Sequence, residues 1–412
     1  MSLDGDPARR VVIVGAGQAG GTVAKALRGE SFAGEIVLIG AETHRPYERP
    51  PLSKSVLLGE ASPDSTALMR DETFDGLGLD FRPGVTATAI DRQTREVTLA
   101  DGRTVGYDAL VLATGGHARR LAIPGNDLPG VFILRTREDS AAIGEALHRA
   151  RHALVVGGGW IGLEIAAAAR KLGVEVTLVE ALDRLCQRAS PPVLSAYLGD
   201  LHRRRGVDLR LGRGIERIEA ADGRLRATLS RDEIVDTDLI VAGIGLEAND
   251  DLARAAGLPC DRGVLVDPCG RTEDPRVFAI GDVAVFKHAW LDRPLRLESW
   301  ANARDQAAAC AKVIAGKEAD YDAIPWFWSD QYEITIQILG VPDSRAQPIL
   351  RGDPAEDRFS CFYLDESGHL RAAIVVNAPT DFKVVQRLAR AGRPVDPARL
   401  ADPATNMRSM LK

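Results

Sequence analysis

The amino-acid sequence predicts an α/β fold in which two similar strand–turn–helix units precede a smaller α+β segment. The first unit consists of an apolar run at 11–14, a glycine-rich segment at 15–20 and a helical stretch. The same order recurs at 153–156 and 157–162. Both apolar runs are continuous rather than alternating, which is typical of parallel strands covered on both faces. From about 324 the chain becomes richer in aromatic residues and contains β-like runs, which indicates a separate C-terminal segment.

Both glycine-rich segments follow the pattern G-x-G-x-x-G. The glycines are Gly15, Gly17 and Gly20 in the first segment and Gly157, Gly159 and Gly162 in the second. One match alone could be an ordinary glycine turn, but here a buried-type strand precedes each match and an amphipathic helix follows it. Such glycines let the backbone approach a pyrophosphate, to which the helix N-terminus offers free N–H groups. The duplication predicts two Rossmann-like dinucleotide-binding domains, and hydride exchange between two dinucleotides is the chemistry of a flavin with a nicotinamide.

The acidic residue that binds an adenosine ribose is expected about 20 residues after the glycines, at the end of the next strand. In the second unit this residue is Glu180, which follows the apolar strand at 175–179. A carboxylate there accepts a hydrogen bond from the ribose 2′-hydroxyl and repels a 2′-phosphate, which favours NADH over NADPH. A solvated glutamate at a strand end is the alternative, and the nearby Arg184 and Arg188 could weaken the discrimination.

The first unit departs from this pattern at the corresponding position. Its second strand, at 35–39, is followed by Gly40, and the nearest acidic residue is Glu42. We assign Glu42 to the adenosine ribose of the flavin dinucleotide, FAD.

Further strand candidates divide the chain into three parts. They lie at 97–99, 109–112, 239–245, 277–280, 334–339, 359–364 and 371–376, with a helical stretch at about 381–391. The sequence predicts an FAD-binding domain formed by 5–113 and 243–323, an NAD-binding domain at 114–242 and a small α+β interface domain at 324–412.

Composition and charge argue against several classes of protein. The net charge is −6, which makes nucleic-acid binding improbable because phosphate binding needs a basic footprint. The five cysteines include no C-x-x-C pair, which argues against a disulfide framework or a metal site and favours a reducing compartment such as the cytoplasm. We expect no membrane span, since no apolar stretch reaches about 18 residues, and no signal peptide, since the N-terminal residues lack an apolar core.

Nine segments distributed along the whole chain carry a family resemblance. They are VVIVGAGQAG (11–20), RPYERPPLSK (45–54), LVLATGG (110–116), LRTRED (134–139), VVGGGWIGLE (155–164), GIGLEANDDLARAAGL (243–258), FAIGDVA (278–284), LESWANA (297–303) and PWFWSDQYEI (325–334). With these segments the chain resembles the ferredoxin reductases of bacterial oxygenase systems, within the glutathione-reductase-like flavoproteins. The elements PPLSK, GDVA and PWFWSDQ are specific to this group. The reductases of ring-hydroxylating dioxygenases are the most similar, followed by the putidaredoxin-type reductases of cytochrome monooxygenases.

The resemblance implies an enzyme that transfers hydride from NADH to FAD and then passes single electrons to a two-iron two-sulfur ferredoxin, of the Rieske or the plant type. We expect a monomer or a weak homodimer. The FAD site implied by the resemblance, with Asp282 on the ribityl chain, consists of Gly15, Gly17, Ala19, Gly20, Glu42, Arg49, Lys54, Ala87, Thr114, Arg135, Asp282, Trp300 and Trp326. The residues implied to face the nicotinamide nucleotide are Gly157, Gly159, Gly162, Glu164, Glu180, Gly245 and Glu298.

Lys54 and Glu164 are the candidate catalytic residues. Lys54 stands at an expected helix start, where a cation is unfavourable by about 0.3–1 kcal/mol and needs compensation. Glu164 shares the inward stripe of its helix with Ile161, Ile165 and Ala168, and a carboxylate on a buried face is rarely unpaired. The family places both groups beside the flavin N5 atom. We hypothesise an ion pair that orients nicotinamide and stabilises charge on reduced flavin; a purely structural salt bridge between domains is the alternative.

Tryptophans and basic residues near the expected partner face have two interpretations each. Trp326 is expected to cover the flavin, whereas Trp328 is expected in the core of the C-terminal domain. Five basic residues could steer an acidic ferredoxin, although each could equally be an ordinary solvated charge. They are Arg293, Arg296, Arg304, Lys383 and Arg387.

Several rival functions share the predicted architecture. A disulfide reductase needs a redox dithiol, which the sequence lacks, and a flavin NADH peroxidase or oxidase needs a cysteine where this chain has the segment Arg49–Leu52. A monodehydroascorbate-type reductase stays open. An apoptosis-inducing-factor-like protein that senses NADH also stays open, although such proteins usually carry a targeting segment and basic patches.

Overall fold

The computed structural model describes residues 9–291, 293–343 and 345–411 and contains two compact units. The first unit comprises the chain up to Arg49 together with Asp64–His117 and Glu247–Pro325. The second unit comprises Pro50–Pro63, Ala118–Leu246 and the chain from Trp326 onward. Each unit therefore collects segments that lie far apart in sequence. The three-domain division inferred from the sequence stays a prediction.

The first unit contains a five-stranded parallel sheet. In spatial order its strands are Val277–Ala279, Ala109–Leu112, Arg10–Val14, Glu35–Gly40 and Asp80–Pro83. Successive side chains of the central strand point to opposite faces, so that Val11 and Ile13 enter one hydrophobic cluster and Val12 and Val14 another. Both faces are thus covered, which is why the strand reads as a continuous apolar run.

Helices and two small sheets complete the first unit. Its α-helices are Gln18–Gly29, Asp71–Asp75, Asp251–Ala255 and Trp300–Ile314, and the first packs against the last. An antiparallel sheet contains Ala87–Asp91, Glu96–Leu99 and Thr104–Gly106. A mixed sheet contains Val264–Val266, Ala284–His288 and Arg293–Leu295, of which the first two pair in parallel. Short 3₁₀ helices are formed by Pro63–Thr66 and Gly281–Val283. The strands Gly116–Ala118 and Leu246–Ala248 lie where the chain passes from one unit to the other.

The second unit repeats the parallel architecture. The strands of its five-stranded parallel sheet are, in spatial order, Val207–Leu211, Glu175–Glu180, His152–Val156, Leu239–Ala242 and Val131–Ile133. The accompanying helices are Arg137–Arg149, Trp160–Lys171 and Pro192–Arg204, and an antiparallel sheet contains Ile215–Ala221, Arg224–Leu229 and Glu233–Thr237. Short 3₁₀ helices occupy Pro50–Ser53 and Ser230–Asp232.

The C-terminal part of the second unit is an antiparallel sheet with helices. In spatial order its strands are Trp326–Gln331, Ile334–Leu339, Leu370–Val376, Arg358–Leu364 and Ile349–Asp353. The helices are Pro379–Ala391 and Pro397–Ala401, with 3₁₀ turns at Pro354–Glu356 and Met407–Leu411. Ile336, Phe359 and Ile374 share one hydrophobic cluster with Ala166 and Leu198 of the parallel part. The mixed α/β class predicted from the sequence is confirmed.

The longest predicted strand, at 239–245, is wrong in its second half. The strand ends at Ala242, and Gly245 has a φ of +115°. This left-handed backbone favours glycine and does not continue a strand. Gly243 also lies close to the helix that follows the second glycine loop, since a Cβ on Gly243 would stand 3.1 Å from the backbone nitrogen of Gly162. The chain after Ala242 therefore leaves the sheet where Gly243 packs against the helix that follows the second glycine loop.

Two local predictions around the candidate catalytic pair are also wrong. Ile161 does not belong to the inward stripe, because its side chain is 43 % exposed. The buried face begins at Gly162 and includes Glu164. Lys54 does not begin an α-helix; it follows the 3₁₀ turn Pro50–Ser53, and its N–H donates to the Pro51 carbonyl. The unfavourable helix-dipole interaction expected for Lys54 is therefore not present.

Within the described ranges, no helix combines the length and apolar character that a bilayer crossing requires.

Candidate functional site

The first glycine loop forms a cradle that only glycine can build. Gly15 has a φ of +109°, and a Cβ there would meet the Ala113 carbonyl oxygen at 2.2 Å. A Cβ on Gly20 would stand 1.9 Å from the Gly15 oxygen, so the helix packs directly on the loop. A Cβ on Gly17 would meet nothing within 4 Å. Gly17 is also the N-cap of a helix without a side-chain cap, so its first N–H groups face open space.

The second glycine loop repeats these distances. Gly157 has a φ of +107°, and a Cβ on Gly162 would stand 2.0 Å from the Gly157 oxygen. The middle glycine, Gly159, is again an N-cap without a side-chain cap, and the nearest atom to its Cβ position is 3.9 Å away. In both loops the first and third glycines allow close packing of the backbone. The middle glycine leaves open space beside the N–H groups of the first helical turn. Both loops therefore fit a pyrophosphate.

Glu180 lies beside the second loop. Its carboxylate accepts hydrogen bonds from the backbone N–H of Gly158 at 2.7 Å and of Leu182 at 2.8 Å. The side chain is thus fixed next to the pyrophosphate cradle and remains partly accessible. This is the location required of a residue that binds a ribose 2′-hydroxyl.

The Arg184 guanidinium is engaged in hydrogen bonds with residues other than Glu180. Its guanidinium donates to the carbonyl oxygens of Ser190 and Gln187 and to the hydroxyl oxygen of Ser195, at 2.6, 3.2 and 2.8 Å. These bonds hold the segment that follows the strand. They also engage the guanidinium that, from the sequence, could weaken the preference for NADH. Arg188, in contrast, is exposed.

Glu42 belongs to a compact polar cluster in the first unit. Its carboxylate accepts hydrogen bonds from the Tyr47 hydroxyl at 2.5 Å and from Arg49 at 2.6 Å. The Arg49 guanidinium also lies 5.1 Å from the centre of the Tyr47 ring. Burial by itself would lower the pKa of Arg49, but Tyr47, Glu42 and Asp282 together raise it above its ordinary value. The structure thus brings together three predicted FAD residues, Glu42, Arg49 and Asp282.

A second set of contacts in the first unit surrounds Asp282 and Trp300. Arg296 donates to the Asp282 carbonyl at 3.1 Å and pairs with Glu298 at 2.8 Å, which links two predicted residues. The indole N–H of Trp300 donates to Glu48 at 3.0 Å. Trp300 opens the helix Trp300–Ile314 and is half-buried.

The remaining predicted residues of the first unit are Thr114, Ala19 and Ala87. The Thr114 hydroxyl donates to the Asn249 carbonyl at 2.8 Å. Ala19 is buried in the first helix, and a Cβ on Gly281 would stand 3.0 Å from its methyl group. Ala87 begins a strand of the small antiparallel sheet.

The predicted ion pair is present in the second unit. The Lys54 ammonium lies 2.9 Å from Glu164 Oε1 and 3.2 Å from the Pro50 carbonyl. Glu164 is 4 % exposed, whereas the Lys54 side chain is 18 % exposed. Two hydroxyls donate to the same carboxylate, Ser53 to Oε2 at 2.5 Å and Ser329 to Oε1 at 2.6 Å. The buried charge is thus satisfied by one cation and two hydroxyls.

Three further predicted residues also belong to the second unit. Arg135 precedes the helix Arg137–Arg149, and Gly245 lies in the irregular segment after the sheet. Trp326 stacks on Trp328, with ring centres 5.6 Å apart and planes at 29°. Trp328 is half-buried rather than buried, so its expected place in the core is wrong.

Sequence inspection did not identify Tyr47, Ser53 or Ser329 as site residues. All three lie inside segments that carried the family resemblance, 45–54 and 325–334. Their roles depend on contacts with residues distant in sequence: Ser53 and Ser329 are 111 and 165 residues from Glu164. Membership of a shared motif was the only available signal.

The cysteines are free thiols, and no redox dithiol is formed. Cys186 is buried, with its sulfur 3.6 Å from the Gly158 carbonyl. Burial and the charges of Glu180 and Glu164 raise the pKa of the Cys186 thiol far above its ordinary value. The thiol therefore stays protonated and inert. In the part of the chain that the structure describes, no group of three or more His, Cys, Asp or Glu side chains could hold a metal ion.

Two protein-family profiles together match most of the chain. A profile described as "Pyridine nucleotide-disulphide oxidoreductase" matches residues 9–307, and one described as "Reductase C-terminal" matches residues 326–411. The second match begins where the antiparallel C-terminal sheet begins.

Individual proteins are similar over nearly the whole chain. A ferredoxin–NAD(P)(+) reductase of a Sphingomonas species is 40% identical, with 97% of each chain covered. The ferredoxin–NAD(+) reductase component of the anthranilate 1,2-dioxygenase system of Burkholderia cepacia is also 40% identical, with 97% of this chain and 98% of the relative covered. Among solved structures, the covalent putidaredoxin reductase–putidaredoxin complex matches with a TM-score of 0.94 at 37% identity, covering 98% of this chain and 99% of that one.

Proposed function

Because the chain belongs to the pyridine nucleotide-disulphide oxidoreductase family, and within it to the ferredoxin reductases of oxygenase systems, we propose that it is an FAD-dependent enzyme that oxidises NADH and reduces a ferredoxin. The family resemblance inferred from the sequence is confirmed. The observation that carries the proposal is the duplicated cradle, because two dinucleotide sites in one chain are what hydride exchange between nicotinamide and flavin requires.

FAD is assigned to the first unit. The loop of Gly15, Gly17 and Gly20 would hold its pyrophosphate at the helix N-terminus. Glu42 would bind the adenosine ribose, held in place by Arg49. Ala87 and Trp300 of the same unit belong to this proposal. Arg135 and Trp326 lie in the second unit, and their assignment to FAD rests on the family resemblance alone. When bound, FAD supplies an acceptor for hydride and a donor of single electrons.

NADH is assigned to the glycine loop of the second unit. Its pyrophosphate would lie at Gly159, where the helix N-terminus is uncapped. Glu180 would accept hydrogen bonds from the ribose hydroxyls and repel the 2′-phosphate of NADPH. The engagement of Arg184 supports this preference, because its guanidinium already donates to three oxygen atoms of the protein. Gly245 of the same unit belongs to this proposal, whereas Glu298 lies in the first unit and its assignment to NADH rests on the family resemblance alone.

Lys54 and Glu164 are proposed as the catalytic pair. Hydride transfer needs no general base, so the protein contributes alignment and electrostatics. The Lys54 ammonium, still 18 % exposed, would offer positive charge where the reduced isoalloxazine gains negative charge. The buried Glu164 carboxylate would fix that ammonium in position.

The acceptor is proposed to be a two-iron two-sulfur ferredoxin of the Rieske or plant type. Proteins at about 40% identity are reductase components of oxygenase systems, and a similar solved structure contains a reductase joined to putidaredoxin. We further propose that the enzyme works as a monomer or weak homodimer in the reducing cytoplasm, to which its five free thiols are suited. No observation favours the monodehydroascorbate-type or NADH-sensing alternatives.

Anaerobic rapid mixing tests the proposal. The purified protein should be yellow, and NADH should bleach its flavin absorbance faster than an equal concentration of NADPH. In steady state, reduction of cytochrome c should depend on added ferredoxin, with Rieske-type and plant-type ferredoxins compared. A colourless protein that cannot be reconstituted with FAD would contradict the cofactor. Equal cytochrome c reduction without ferredoxin would contradict the acceptor.

A further inference from the structure

We propose that Ser329 and Gln331 are positioning residues that hold the Glu164 carboxylate for Lys54, through a buried hydrogen-bond chain that begins at Tyr332 and His202. This inference rests on the proposed function, because it gives the chain a role in the same ion pair. The chain lies entirely in the second unit.

The chain is continuous and almost fully shielded from solvent. Tyr332 Oη lies 3.3 Å from His202 Nδ1, and His202 Nε2 lies 2.9 Å from Gln331 Oε1. Gln331 Nε2 lies 3.1 Å from Ser329 Oγ, which lies 2.6 Å from Glu164 Oε1. His202 and Ser329 are 0 % exposed and Gln331 is 1 % exposed. Burial of three polar side chains in one line is costly unless each is satisfied, which this arrangement achieves.

The direction of every bond follows from the carboxylate at its end. Glu164 can only accept, so the single hydroxyl proton of Ser329 is donated to it. Ser329 Oγ then accepts from the Gln331 amide N–H, which turns the Gln331 oxygen toward His202. His202 must donate from Nε2, and its Nδ1 is left to accept from the Tyr332 hydroxyl. All four donors point the same way, toward Glu164, so their dipoles add.

A neutral imidazole is required for this order, and its environment provides one. Burial lowers the pKa of His202 to about 4, so the ring carries one N–H at neutral pH. A doubly protonated ring could not accept from Tyr332. The structure thus assigns the Nε2–H tautomer to His202, a property that can be observed without any assay of activity.

The carboxylate is held at both oxygen atoms. Ser53 donates to Oε2, while Ser329 and Lys54 share Oε1. With both hydroxyls present the carboxylate plane is fixed, and the Lys54 ammonium meets it at 2.9 Å. Without Ser329 the group can rotate about its last side-chain bond, and the ammonium loses its fixed partner. Because none of Ser329, Gln331, His202 and Tyr332 is assigned to a nucleotide site, their effect should fall on the rate of hydride transfer rather than on nucleotide binding.

The kinetic test uses Ser329→Ala and Gln331→Met, with Ser360→Ala as the matched control. Ser360 is a buried serine of the same C-terminal sheet, and its Oγ has no hydrogen-bond partner among the described residues. The limiting rate of flavin reduction by NADH should fall about tenfold in both test variants, with the NADH dissociation constant changed less than twofold. Ser360→Ala should match the parent protein. Limiting rates within twofold of the parent in both test variants would overturn the positioning role.

The spectroscopic test uses nitrogen-15 NMR of the histidine-labelled protein, with His202 assigned by its loss in His202→Gln. The parent should show the Nε2–H tautomer, and Gln331→Met should shift this signal. A neutral His202 ring that carries its proton on Nδ1 would contradict the proposed hydrogen-bond chain, whatever the kinetic result. If the parent failed to oxidise NADH while His202 showed the expected tautomer, the proposed function would fail instead.

Discussion

Lys54 is the residue whose charge the proposed chemistry uses most directly. Lys54→Met keeps the length of the side chain and removes its charge. We expect flavin reduction by NADH to slow by about 10²–10³-fold, the usual effect of removing one electrostatic donor from a reacting centre. Lys171→Met is the matched control, because Lys171 also pairs with a glutamate in the second unit, Glu60 at 3.4 Å, but on the exposed surface. Anaerobic stopped flow at equal FAD content measures both rates.

A purely structural salt bridge would give a different result. Lys54→Met leaves Glu164 buried, with Ser53 and Ser329 as its remaining donors. Loss of one partner of a buried pair typically costs about 3–5 kcal/mol, so the unfolding temperature should fall in either case. Only the catalytic role predicts that the hydride-transfer rate of the folded fraction also falls. An unchanged hydride-transfer rate would mean that Lys54 contributes only to the stability of the fold.

His202 makes stability depend on pH. Burial lowers its pKa to about 4 from an ordinary 6.5, so between these values the unfolded chain binds a proton that the folded protein does not. The free energy of unfolding should therefore decrease as pH falls from about 6.5 to about 4. The contribution is at most about 3.5 kcal/mol, at about 1.4 kcal/mol for each pKa unit.

Urea unfolding at pH 7 and pH 5 measures this dependence. The loss of stability between the two pH values should be smaller in His202→Gln than in the parent protein. Burial also lowers the pKa of His152 and His288, so part of the dependence persists in the variant. Equal losses in His202→Gln and the parent would contradict the assignment.

At the scale of elements, different glycines of the first cradle are expected to affect folding and cofactor binding separately. In Gly20→Ala the new methyl group would lie only 1.9 Å from the Gly15 carbonyl oxygen. This steric clash should destabilise the protein by about 1–3 kcal/mol or more. Gly17→Ala meets no protein atom within 4 Å and should fold normally. It should nevertheless bind FAD poorly, because its methyl group occupies the space left for the pyrophosphate.

Thermal unfolding and the FAD absorbance of the purified variants distinguish these effects. Gly29→Ala is the control for Gly17→Ala, because its Cβ also enters open space but at the far end of the same helix. Full FAD content in Gly17→Ala would contradict the assignment of the first cradle to FAD.

The elements could be predicted from sequence wherever their cause is local. A covered parallel strand is a continuous apolar run, and the cradle needs glycines at fixed spacing, so the strands around 11–14 and 153–156 and both loops were predicted correctly. The end of the strand Leu239–Ala242 was missed because its cause, the close packing of Gly243 on Gly162, is not local.

The candidate site shows the same division. Glu164 was identified as a buried carboxylate because helical periodicity is local. Its donors Ser53 and Ser329 could not be identified, since nothing in the sequence near them records a partner more than 100 residues away. The exposed side chain of Ile161 was missed because the glycine loop, not helical periodicity, sets the first turn of that helix.

At the scale of the whole molecule, the proposed attraction of an acidic ferredoxin needs an explanation, because the net charge of the chain is itself −6. Local positive charge must then do the steering. Of the five basic residues considered from the sequence, Arg296 and Arg304 are neutralised by Glu298 and Asp305, at 2.8 and 2.6 Å. Lys383 and Arg387 are exposed on one face of the helix Pro379–Ala391.

The structure adds a third cation to this helix face. Lys383, Arg387 and Arg408 line one concavity of about 330 Å³, together with the apolar side chains of Val384 and Leu411. None of the three cations forms a salt bridge with another described residue. An acidic surface brought to this concavity would therefore meet positive charge that is not already compensated.

The double variant Lys383→Glu/Arg387→Glu should accordingly lose most of the electrostatic attraction for an acidic ferredoxin. We expect the rate constant for ferredoxin reduction to fall about tenfold at low ionic strength, and its decrease with added salt to disappear. Flavin reduction by NADH should be unchanged, since neither residue is assigned to a nucleotide site. The control pair Arg149→Glu/Arg358→Glu, two exposed charge reversals elsewhere in the second unit, changes the net charge by the same amount. If its salt dependence matched that of Lys383→Glu/Arg387→Glu, net charge rather than this concavity would govern the encounter.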